Sequence, residues 1–176
     1  MNTKNIIKSI IFKFPKGIRN FIYKLYNNIK YPQMSEQKRT FGSKNPDITF
    51  YVIRPRTDCI EGLMSLFRNV LKQLSYADSH NYIPVVDFEN YKTQYNDETV
   101  KNTDNAWEYY FSQPSKYKLS DVYKSKNVIL SGINNSMKCS SFLNINNADS
   151  NILSNRLFKK YLCFSDNVLK KVYAQH

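Results

Sequence analysis

The sequence predicts an α/β fold, a Rossmann-like three-layer parallel sheet preceded by a basic amphipathic helix. Three observations carry this. Apolar, β-branched runs at 48–55, 83–88 and 127–132 alternate with segments of helical period at 62–79 and 149–173, the pattern that strand–helix–strand units produce. The 176 residues are 41% hydrophobic and 23% charged, ordinary usage for one globular domain. Only 4 glycines and 6 prolines interrupt them, so disordered, collagen-like and disulfide-scaffold classes are excluded.

Residues 1–30 come first. Ile6, Ile7, Ile10, Ile11, Phe14, Ile18, Phe21, Ile22, Leu25 and Ile29 recur at helical spacing, while Lys4, Lys8, Lys13, Lys16 and Arg19 fall on the opposite side. Pro15 and Gly17 kink or split this helix. No apolar run approaches the roughly 20 residues that cross a bilayer, and no secretory cleavage pattern follows. Such a helix suits an anionic membrane interface, its apolar face in the acyl boundary and its lysines at the head groups. The alternatives are a helix packed on the body or on a partner, with solvated lysines, and a helix that contacts nucleic acid. Of the formal net charge of +12, seven basic residues lie in 1–35, which hold no acid; 19 basic and 14 acidic residues share the rest. That mild excess gives the folded body no nucleic-acid signature.

Residues 31–47 are polar, hold Pro32, Gly42 and Pro46, and lack periodicity, so they read as a linker to a domain spanning 48–176. ITFYVIRP at 48–55 reads as a buried strand, and the turn TDCIEG leads into a helix of about five turns over 62–79. IPVVDF at 83–88 is the second strand, expected to be parallel to the first through a right-handed crossover. A polar excursion at 89–118 contains NAWEYYF, a short helical candidate covers 119–124, and NVILSG at 127–132 is a third strand. Two helices close the chain over 149–173, the second capped by Ser165 or Asp166.

Ligands of open parallel sheets collect beyond the carboxyl ends of the strands. The Asp58–Leu63 turn occupies such a place, with Gly62 opening a helix N-terminus, although lone glycines are commonly turn chemistry. Arg54 and Arg56 end the first strand, facing anionic groups or solvent; Asp87 and Glu89 end the second, where Asp87 accepts from sugar hydroxyls, acts as a base, or caps the next segment. The only tryptophan, Trp107, sits beside Glu108. A ring next to a carboxylate suits a sugar, and equally a short amphipathic helix anchoring a long loop. Cys59, Cys139 and Cys163 form no metal or disulfide pattern and point to a reducing, cytoplasmic compartment.

Two segments, EGLMSLFRNVLKQLSYADSHNYIPVVDFENYKTQY and NAWEYYFSQP, resemble the N-terminal half of bacterial glycosyltransferases related to the nodulation and α-1,6-fucosyltransferase superfamily. The resemblance implies a two-domain GT-B fold. In it this domain faces the acceptor, and a second domain binds a nucleotide sugar such as GDP-fucose, with no metal or other cofactor. It places Glu61, Gly62 and Leu63 on the donor side and Asp87, Asn105, Trp107 and Glu108 on the acceptor side. Family members continue into a His-x-Arg-x-Gly-x-Asp sequence whose arginine balances the leaving diphosphate; this chain stops at VYAQH. Losing such a cationic group costs several kcal/mol of barrier. The expectation is therefore the acceptor-side portion of a membrane-associated transferase for surface polysaccharide or glycolipid, at the inner face of the cell membrane. It would be inactive without a separately encoded C-terminal half. The alternative is a non-catalytic sugar-binding or interaction module, or a truncated remnant.

Overall fold

The computed structural model describes residues 14–30, 35–55, 62–100, 102–132 and 148–174. In chain order these form α1 (Lys16–Lys30), β1 (Gln37–Arg39), β2 (Lys44–Ile53), α2 (Leu63–Ser79), β3 (Ile83–Val86), a 3-10 turn (Ala106–Tyr109), α3 (Leu119–Val122), β4 (Ser125–Leu130), α4 (Ala148–Tyr161) and α5 (Asp166–Tyr173). The strands make one sheet in the order β1-β4-β2-β3. β2 lies parallel to both neighbours, Val52 standing opposite Val85 and Leu130. β1 runs antiparallel along β4, with Gln37 opposite Leu130.

The expected all-parallel sheet is thus corrected to a mixed one. The α/β class stands, and a Rossmann-like arrangement does not follow from it. β1, with the sequence Gln-Lys-Arg, has no apolar residue to announce it; the unpaired backbone edge of β4 makes it a strand. Residues 37–39 and 44–47, read as linker, are therefore sheet. At Gly132, just past β4, a Cβ would run into the backbone of Ser35 and Glu36, so only glycine lets the segment before β1 cross there.

Side chains alternate between the two faces of the sheet. Tyr51, Ile53, Val86 and Ile129 meet Val70, Leu71, Leu74 and Ala77 of α2, with Leu157 and Tyr161 of α4. Phe50, Val52, Val85, Val128 and Leu130 meet Leu119 and Val122 of α3. β2 is central, and Phe50 to Ile53 are fully buried, which is why its sequence is a continuous apolar run. β3 is an edge strand and accommodates Pro84 there.

α2 ends where Asn81 takes a left-handed backbone at φ 55 and the Tyr82 N–H bonds to Ala77 O at 2.9 Å. α4 is fastened to it through Asp78, which accepts from Arg156 at 2.6 Å, Lys160 at 2.5 Å and the Tyr161 hydroxyl at 2.8 Å. Burial acts to raise the Asp78 carboxyl; the bonds from Lys160 and Tyr161 and the nearby charges outweigh it and hold the carboxyl below its ordinary range.

Candidate functional site

Asp87 follows the last residue of β3 and has no solvent exposure. Its Oδ1 accepts from the backbone N–H of Asn90 at 2.8 Å and of Glu89 at 3.2 Å. Its Oδ2 accepts from the Tyr123 hydroxyl at 2.5 Å and the Asn90 amide at 3.0 Å. Four donors on one carboxylate make it a turn former that also ties α3's end to β3. Burial pushes the Tyr123 hydroxyl well above its ordinary range, and the bond to Asp87 adds to the shift. Glu89 is exposed, yet its carboxyl is also raised, by desolvation first and then by the charges of Asp87, Asp104 and Glu108.

Asn105, 1% exposed, joins β3 to the aromatic box. Its amide donates to Val86 O at 2.8 Å, and its carbonyl accepts from the N–H groups of Phe88 and Trp107, each at 3.2 Å. The Glu108 carboxylate accepts from Thr103 at 2.9 Å and from the Gln113 amide at 2.7 Å. Gln113 in turn accepts from Val86 N–H and donates to Val86 O, both at 2.9 Å. The polar groups of the box are therefore engaged in holding the edge of β3.

The rings of the box face elsewhere. Trp107 is 4% exposed, and its indole N–H bonds to Ser112 O at 3.1 Å. It stacks on Phe111 with centroids 4.6 Å apart, and Phe111 lies 5.4 Å from Phe67 and 5.7 Å from Phe164. Backbone bonds from Ser112 N–H to Cys163 O (2.8 Å) and from Ser165 N–H to Tyr110 O (3.0 Å) stitch the box to the α4–α5 connection. Ser165 occupies the N-cap position of α5 without a side-chain cap bond; its hydroxyl donates to Tyr109 O instead.

Together these segments enclose a cavity of about 460 Å³. Leu63 and Phe67 of α2, Phe88 beyond β3, Trp107 and Phe111 of the box, and Phe158 of α4 supply its walls. It thus lies past the carboxyl ends of β2 and β3, where ligands of parallel sheets sit. Its volume falls within the range of about 300–1,000 Å³ usual for ligand pockets. The lining carries the hydroxyls of Thr93, Tyr95 and Tyr110 and the indole N–H of Trp107, which is already bonded to Ser112 O, and among the described residues no charged side chain takes part.

Of the donor-side residues, Glu61 lies outside the described residues, as do Arg56, Cys59 and Cys139. Gly62 is extended, with φ −61 and ψ 153, and nothing lies within 4 Å of where a Cβ would be. The backbone here does not require glycine. Leu63 lines the cavity, and its N–H donates to the Tyr95 hydroxyl at 2.8 Å. Arg54, 3% exposed, donates to Ser131 O at 2.9 and 2.6 Å and to Ser35 O at 3.2 Å, linking the ends of β2 and β4.

Lys4, Lys8 and Lys13 also lie outside the described residues. Within α1, Lys16 and the apolar stripe of Ile18, Phe21, Leu25 and Ile29 are exposed, Ile29 by 75%. The stripe is open rather than packed on the sheet. Among the described residues no helix is long and apolar enough to cross a membrane, and no group of three His, Cys, Asp or Glu is placed to hold a metal ion. Of the residues the sequence singles out, Trp107 lines the cavity while Asp87 and Asn105 hold the turn after β3; Gln113, Tyr123, Phe158 and Phe164, which bond to or wall the same region, carry no signal in the sequence. Compared with protein-family models, curated proteins and solved structures, the chain matches none.

Proposed function

We propose that this chain is the acceptor-side portion of a fucosyltransferase-like, membrane-associated glycosyltransferase acting on surface polysaccharide or glycolipid. The observation that supports it is the position of the cavity: beyond the carboxyl ends of two parallel strands, with the lone tryptophan in its wall. In this reading a nucleotide sugar such as GDP-fucose is held by a second domain facing the cavity, and a glycan or glycolipid acceptor approaches from this one. The open basic amphipathic helix α1 would bring the protein to an anionic membrane surface, where such acceptors reside. Asp87, with four hydrogen bonds to the fold, is a positioning group here, and no residue of this chain is assigned as the base.

That same engagement of Asp87 favours a second reading, a non-catalytic sugar-binding or interaction module. The acceptor reading and the sugar-binding form of the second both require that the site recognise a sugar. Trp107 is the only tryptophan, so its emission reports on the cavity. Titration with alkyl glycosides that share one alkyl chain and differ in the head sugar should give affinities that depend on the sugar. Equal affinities for every head group would overturn sugar recognition in both forms.

A further inference from the structure

Resting on the acceptor reading, we infer that the cavity takes the hydrocarbon chain of a membrane lipid carrying the acceptor, admitted through a mouth that α5 turns toward the bilayer. Sugar hydroxyls need hydrogen-bond partners when they leave water. The lining offers three hydroxyls, and two of these, on Thr93 and Tyr95, already bond to Asn96 and Leu63. Trp107 and Glu108 spend their polar atoms inside the fold. Apart from the Tyr110 hydroxyl, what remains is a wall of stacked rings and aliphatic side chains, suited to an acyl or isoprenoid chain.

The mouth has the matching character. Met64 is 66% exposed and Phe164 57%, both lining the cavity. Val168, the α5 residue in the lining, shares one helical stripe with Leu169, Val172 and Tyr173, and all three of these are exposed. Lys170 and Lys171 stand on the other side of α5, and Lys159 is exposed on α4. An apolar stripe running out of a cavity, flanked by lysines, complements a surface of acyl chains under anionic head groups. α1 presents a second stripe of the same kind, so the surface that attracts this protein is a membrane in both places.

The experiment uses the full chain with phosphatidylcholine/phosphatidylglycerol vesicles whose acyl chains carry bromine. Bromine quenches an indole only at short range, and Trp107 is buried in the cavity wall. Expected is a loss of Trp107 emission with brominated vesicles relative to unbrominated ones. Val168→Glu, which puts a charge in the wall, should abolish the loss; Val172→Asp, outside the cavity, should abolish it by preventing docking, with circular dichroism confirming that both variants fold. Cosedimentation with undiminished emission would overturn the inference, as would quenching retained by both variants. An emission change that follows protein concentration without lipid would show the cavity filled by a second copy, and would overturn it too. Glycolipid added to the vesicles separates the two claims: quenching that ignores the sugar leaves the chain site standing and removes the sugar reading, whereas soluble oligosaccharide that alters emission when brominated lipid does not yields the reverse.

Discussion

Replacing Asn105 by alanine decides whether this residue serves the fold or a ligand. The substitution removes three hydrogen bonds: one to Val86 O, and those from the N–H groups of Phe88 and Trp107. Val86 O keeps the Gln113 amide, so the loss falls on two donors of residues that are 5% and 4% exposed. Each buried donor left without a partner costs about 1–3 kcal/mol, for a total of roughly 2–6 kcal/mol. That is a large part of the ~5–15 kcal/mol that stabilises a domain. Urea unfolding followed by Trp107 emission should show the midpoint falling by about 1–3 M. Asn105→Asp keeps both acceptors and loses the donor to Val86 O. With an oxygen rather than a donor set against Val86 O, the variant should be less stable than the parent in the same urea assay. An alanine variant within about 0.5 kcal/mol of the parent, together with an aspartate variant as stable as the parent, would refute the structural role and return Asn105 to the ligand.

Two further outcomes follow from the same geometry. Tyr123→Phe takes one of four donors from the fully buried Asp87; loss of a bond to a charged acceptor costs about 1.5–3 kcal/mol, and thermal unfolding by circular dichroism should shift down by about 3–12 °C. Asp78→Asn weakens the fastening of α4 to α2. Because Arg156 and Lys160 are 63% and 55% exposed, screening limits its cost to about 1–2 kcal/mol at neutral pH. The Asp78 carboxyl is held low, so the stability it contributes is present above the unfolded value near 3.8 and is lost as pH falls through the folded one. The gap between parent and variant, measured by urea unfolding from pH 7 to pH 2, should close on acidification.

Periodicity made β2, α2 and β3 legible, because each packs an apolar face whose spacing is local in sequence. α4 and α5 were legible on the same ground. β1 was not: three polar residues become a strand through the edge that β4 offers. The start of β2 at Lys44 was hidden likewise, since its first residues are polar and exposed. Asp87, Asn105 and Trp107 stood out as residue types suited to binding, and the structure gives all three structural bonds. The sequence could not reveal this, because the partners Tyr123, Val86 and Ser112 declare themselves only when the chain closes. The cavity was illegible for a related reason. Its walls come from α2, the 88–95 segment, the box, α4 and α5, and no one of these carries a periodic mark of an interior void.

The side chain of Gln113 has a consequence beyond the box. Its amide meets Val86 with one acceptor and one donor at equal lengths, as a peptide group of a neighbouring strand would. One residue thus counterfeits a fifth strand at the place where the sheet stops. A chain that terminates its own ladder in this way leaves less open backbone to recruit a foreign strand. The sheet can therefore end in water on that side without inviting end-to-end growth between molecules.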